Sequence, residues 1–126
     1  MSSVLIIDDD PETVEFLEIV LTQRKYEVLR AETGAQGVEL ARAQRPALAL
    51  IDISMPGMDG YDVCRQLRAD PNTQHIAIML LTARSSLADQ AAGIEAGADM
   101  FVVKPVGVAR LLDLIEQLAQ LRGSVN

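Results

Sequence analysis

Residues 47–52 read Ala-Leu-Ala-Leu-Ile-Asp, five apolar residues in a row ended by a carboxylate. A half-buried strand alternates apolar and polar residues, and this run has no polar side to offer solvent. Its length and composition suit a strand covered on both faces, as in a parallel sheet with helices above and below. Val4–Ile7, Ile76–Leu81 and Met100–Val103 have the same character. Tyr26–Arg30 differs, mixing Tyr, Val and Leu with Glu27 and Arg30, and reads as an edge strand.

Helical spacing fills the intervals. Val14, Leu17 and Leu21 fall on one helical face, as do Val38 with Ala41, and Leu111 with Ile115 and Leu118. Asp10-Pro11 reads as a helix start, with Asp as N-cap and Pro in the first helical position. Gly34, Gly60 and Gly97 punctuate the joints. Five units of strand then helix predict an α/β fold, a doubly wound (βα)5 sandwich. No low-complexity tract or change of composition marks a second domain.

The 126 residues suit one domain, and 49% apolar content is ample for its core. With two Tyr, two Phe and no Trp, that core must be aliphatic. No apolar run approaches the roughly 20 residues of a membrane helix. Val4–Ile7 is too short for a signal-peptide core and lacks a basic flank, so a cytoplasmic protein is expected. Cys64 is the sole cysteine and reads as packing, and His75 sits in a polar loop and reads as surface. The net charge of −7 argues against direct nucleic-acid binding, which wants a basic face. It leaves room for a cation or a basic partner.

In an open α/β sheet, ligands bind beyond the carboxyl ends of the strands. The first strand ends in Asp8-Asp9, the third in Asp52, the fourth in Thr82 and the fifth in Lys104-Pro105. Singly, each is an ordinary cap, turn or surface residue. Jointly they place three carboxylates, a hydroxyl and an ammonium on one edge. Acids gathered in this way repel one another unless a cation joins them. Oxygen-only donors select a hard ion, Mg²⁺, over zinc. Mg²⁺ in turn points to a phosphoryl ligand, with Thr82 and Lys104 placed to hold its oxygens. Asp52 is then the candidate nucleophile.

The chain resembles the receiver domain of two-component response regulators from Val4 to about Leu121. The resemblance is carried by VLIIDDD at 4–10, AETG at 31–34, LIDISMPGMDG at 50–60, LLTA at 80–83 and GADMFVVKP at 97–105. It implies a flavodoxin-like sheet of five parallel strands in the order 2-1-3-4-5. It implies that Asp52 is phosphorylated, that Asp8, Asp9, Asp52 and the backbone carbonyl of Ser54 hold Mg²⁺, and that Thr82 and Lys104 grip the phosphoryl group. Phe101 occupies the position of the switch aromatic, which in the family moves together with the Thr. That motion reshapes the face of the fourth helix, fifth strand and fifth helix. The implied partners are a sensor histidine kinase or phosphotransfer protein and a downstream effector. Val106 stands where many members have Phe, and Met100 where DNA-binding members often have an acid.

Three rivals share part of the pattern. A haloacid-dehalogenase-like phosphatase wants a second Asp two residues after its nucleophile, where this chain has Ser54. A flavodoxin-like FMN binder wants a hydroxyl- and glycine-rich loop after the first strand, where this chain has three acids. A receiver that only binds partners is expected to lack part of the pocket, and none is missing. Residues 1–122 are expected to form the domain, with 123–126 a tail or the start of a linker. A stand-alone regulator, or the N-terminal part of a longer one, is expected.

Two physical expectations complete the reading. Lys104-Pro105 is expected to be cis, turning the lysine back toward Asp52. The three acids and one lysine sum to −2, which one Mg²⁺ brings to zero. Without metal, their mutual repulsion is expected to raise the pKa of at least one acid.

Overall fold

The structure, a computed structural model, describes residues 2–123. In chain order it runs β1 (Ser3–Ile7), α1 (Pro11–Gln23), β2 (Glu27–Ala31), α2 (Gly34–Gln44), β3 (Leu48–Ile51), α3 (Gly60–Ala69), β4 (Ala77–Thr82), α4 (Leu87–Ala96), β5 (Met100–Val103) and α5 (Val108–Gly123). The five strands form one parallel sheet in the order β2-β1-β3-β4-β5. Of the expected tail, residues 124–126 lie outside the described residues.

Alternation along the strands sorts the core into two layers. Leu5, Ile7, Ala49, Ile51, Ile78 and Leu80 face α2, α3 and α4, meeting Val38, Ala41, Val63, Leu67 and Ala96. Val4, Ile6, Leu48, Leu50, Met79 and Leu81 face α1 and α5, meeting Val14, Leu17, Leu21, Leu111, Ile115 and Leu118. Cys64 joins the first layer as a packing residue, and burial pushes its thiol up to about 12. Among the described residues, no helix is long and apolar enough to cross a membrane.

One expectation needs correcting. Met100–Val103 read as a strand buried on both faces, yet all four residues are only partly buried. The reason is position: β5 pairs with β4 alone and closes one edge of the sheet, as β2 closes the other.

Side-chain caps set where the helices begin. Asp10 accepts the Glu12 N–H at 3.3 Å and the Thr13 hydroxyl at 2.7 Å, with Pro11 next in line, as expected. Asp59 and Ser86 cap α3 and α4 by accepting the N–H groups of Asp62 and Asp89. Gly97 ends α4 with φ of +106°, a conformation glycine adopts without steric cost. The Lys104–Pro105 bond is cis.

Candidate functional site

The sheet ladder runs one step past the strand ends, and that step positions the site. The Asp8 N–H donates to the Ala31 carbonyl at 3.1 Å, the Asp52 N–H to Ile7 at 3.0 Å, and the Lys104 N–H to Thr82 at 2.8 Å. Each backbone is therefore held by the last residue of a neighbouring strand. The side chains project beyond the sheet from a fixed base.

Carboxylate oxygens of Asp8, Asp9 and Asp52 all lie within 4.8 Å of one another. Asp8 is buried, Asp52 partly buried and Asp9 exposed. Lys104 Nζ stands 3.0 Å from Asp8 Oδ2 and 4.0 Å from Asp52 Oδ2. The lysine thus turns toward the acids, but its closer partner is Asp8 rather than Asp52. Asp8 is the more buried of the two and has more to gain from a counter-charge. Its other oxygen accepts the Asp10 N–H at 2.9 Å.

The carboxyl of Asp8 is held above the usual range, though for a different leading reason than expected. Burial is the largest cause; the Asp10 N–H and Lys104 work against it, and repulsion from Asp52 is the last contribution. Desolvation of a carboxylate with only 3% of its surface exposed outweighs the neighbouring like charge.

Thr82 ends β4 fully buried, and its hydroxyl accepts the Arg84 N–H at 3.3 Å. Ser54 is exposed, and its hydroxyl accepts from Arg84 Nε at 3.1 Å. Arg84 also reaches Asp89 Oδ1 at 3.3 Å, and the Tyr61 hydroxyl donates to the same oxygen at 2.9 Å. The loop after β4 is thereby tied both to the loop after β3 and to α3. Hydrogen bonds from Ser86 and Tyr61 hold the Asp89 carboxyl below its usual range. Burial, then the bond to Asp89, pushes the Tyr61 phenol up.

The structure therefore gathers Asp8, Asp9, Asp52 and Lys104 and links Thr82 with Ser54 through Arg84. Phe101 stands apart, half-buried on the α4 side of β5. Sequence reasoning missed Arg84, for which a basic loop residue gives no signal. It treated Gly60 as a joint only. A Cβ there would stand 2.5 Å from the Asp52 carbonyl oxygen, so the start of α3 can close on the residue at the heart of the site only through glycine. The Asp59-Gly60 pair was the available clue.

The sequence profile described as the response regulator receiver domain matches residues 4–116. The chain is a response-regulator receiver domain. This receiver domain is 44% identical over 113 residues to the transcriptional regulatory protein AfsQ1 of Streptomyces coelicolor, covering 90% of the chain and 48% of that protein. It is 38% identical over 119 residues to the response regulator PleD of Caulobacter vibrioides, covering 94% of the chain and 26% of that protein. The receiver domain thus spans about half of the one relative and about a quarter of the other. Among solved structures it superposes with a TM-score of 0.86 on the receiver domain of a sensor histidine kinase from Pseudomonas aeruginosa, at 29% identity. That match covers 94% of this receiver domain and 97% of the other chain, which has a magnesium ion coordinated in its active site cleft. Receiver domains of response regulators are signalling modules, and the α/β architecture read from the sequence is theirs.

Proposed function

We propose that this receiver domain accepts a phosphoryl group on Asp52, from a sensor histidine kinase or a phosphotransfer protein, in a Mg²⁺-dependent reaction. The observation that carries the reading is the gathering of three carboxylates from two strand ends, with oxygens within 4.8 Å, beside a lysine from a third.

The donor set fits the metal. It is all oxygen, as a hard dication requires, and neither His75 nor Cys64 belongs to it. The carboxylates of Asp8, Asp9 and Asp52, with the backbone carbonyl of Ser54, would hold the ion. When bound, Mg²⁺ supplies neutralisation of the charge on the phosphoryl oxygens.

The protein's own residues do the rest. A carboxylate oxygen of Asp52 attacks phosphorus as the bond to the donor breaks, and the product is an acyl phosphate. Lys104 offsets negative charge on the transferring group, and the Thr82 hydroxyl donates to one of its oxygens. Catalysis of this kind is positioning and electrostatics, and the backbone bonds at the strand ends provide the positioning. The domain, residues 1–122, promotes its own phosphorylation and dephosphorylation and is not a classical enzyme.

Phe101 and the face of α4, β5 and α5 carry the signal to a protein partner or effector in the cytoplasm. Thr82, drawn to the phosphoryl group, makes the differential contact that a shift of population requires.

Mass spectrometry tests the acceptor. With Mg²⁺ and acetyl phosphate the protein should gain one labile phosphoryl group. Asp52→Asn should gain none, and EDTA should stop labelling of the wild type. Equal labelling of Asp52→Asn overturns the assignment.

A further inference from the structure

Gly93 lies in the middle of α4, buried and turned toward the sheet. Glycine inside a helix ordinarily weakens it relative to alanine, so this position calls for a packing reason. A Cβ built there would stand 2.8 Å from Cδ2 and 3.4 Å from Cε2 of Phe101, and 3.0 Å from Cδ1 of Leu80. The edge of the Phe101 ring occupies the volume that a methyl group would fill.

The same contact lies on a line to the site. Phe101 pairs directly with Leu80 in the register of β4 and β5. Leu80 and Thr82, two residues apart on one strand, point to the same face of the sheet. Thr82, Leu80 with Phe101, and Gly93 therefore form a continuous row from the site to the underside of α4. On its outer side α4 carries Leu87 and Ile94, one heptad apart and 83% and 71% exposed.

We propose that Gly93 is the seat of the Phe101 ring: its missing Cβ lets the ring stand beneath α4 as a spacer, so a ring that moves changes how the helix presents Leu87 and Ile94. Gly93 is a positioning residue, and the inference rests on the reading of Phe101 as the side chain that responds to phosphorylation of Asp52. Thr82 then works from one side of the ring and α4 from the other.

A double-mutant cycle in urea tests the seat without reference to signalling. Gly93→Ala should lower the unfolding midpoint in the wild-type background, because Cβ and ring compete for one volume. In the Phe101→Ala background the same change should raise the midpoint. There Leu80 can swing into the vacated space and helix propensity acts alone. An equal change in both backgrounds, of either sign, overturns the seat.

Ring resonances then test the transmission. Phe101 is one of two phenylalanines, and Phe101→Ala identifies its signals. Acetyl phosphate with Mg²⁺ should shift them in the wild type. Gly93→Ala should lose that shift while still gaining the phosphoryl group by mass. An undiminished shift in Gly93→Ala overturns the transmission. If the cycle shows coupling but the wild-type ring ignores phosphorylation, the seat stands and the reading of Phe101 as the switch falls.

Discussion

The two ends of the sheet each hold a cluster of charge, built on opposite principles. Where the strands begin, Arg68 of α3 donates to the carbonyls of Gly97, Gln74 and Ile76, at 2.9, 2.9 and 2.6 Å. Its remaining arm meets Asp99 Oδ2 at 2.8 Å, and that oxygen also accepts the Ile78 N–H at 2.8 Å. Here a cation is matched to an anion, with both side chains largely withdrawn from solvent. Where the strands end, Asp8, Asp9 and Asp52 gather beside Lys104, whose ammonium pairs with Asp8 and Asp52. A balanced cluster whose bonds close internally serves the fold. An unbalanced one leaves a charge that a cation can complete, as the proposed Mg²⁺ site requires.

The largest effect expected is at the balanced end. Arg68→Ala removes the charge partner of Asp99 and the donor to three carbonyls. Breaking a fully buried pair costs about 3–5 kcal/mol, and this partly buried one should fall at the lower end of that range. Urea melts should show that loss equally in Mg²⁺ and in EDTA, since the cluster needs nothing from solution. A loss that Mg²⁺ repairs would break the comparison.

The site end should respond to metal instead. Mg²⁺ at a hundredfold excess over its Kd should stabilise the wild type by about 2.7 kcal/mol. Asp52→Asn should be more stable than wild type in EDTA, having shed one of the crowded charges, and should gain less from Mg²⁺. Lys104→Ala should be less stable in EDTA, because the three acids then lose the counter-charge that Lys104 supplies. Paired melts of these proteins sharpen the contrast. Wild type and Asp52→Asn melting together in both buffers would remove Asp52 from the metal cluster.

The smallest effect concerns the first turn of α4, which Arg84 ties to the loop after β4. The folded protein holds Asp89 below its ordinary value of 3.8, chiefly through the Ser86 hydroxyl and then that of Tyr61. A carboxyl depressed in this way adds stability that is present above pH 3.8 and is lost as pH falls through the folded value. Asp89→Asn should therefore be less stable at neutral pH, with the gap closing on acidification. Melts from pH 7 down to pH 3 would show it, and a gap independent of pH would assign the loss to something other than the carboxylate's charge.

β3 and β5 show where local reading stops. Leu48–Ile51 and Met100–Val103 are both unbroken apolar runs of four, yet the first is buried throughout and the second only partly. Nothing within either run distinguishes them. What separates them is that β3 has a strand on each side and β5 has one. The same limit hid Arg84 and the close approach at Gly60, because both depend on loops that meet only after folding.

Which residues end the strands, which face of each helix is apolar and which residue caps α1 were all determined by the sequence alone. Periodicity, capping and turn chemistry act over a few neighbouring residues and leave a mark there. Only the tertiary structure decided that Lys104 stands closest to Asp8, that burial leads in raising the carboxyl of Asp8, and that Gly93 makes room for Phe101. Those outcomes depend on distance and desolvation between segments far apart in the chain, and no local pattern encodes either.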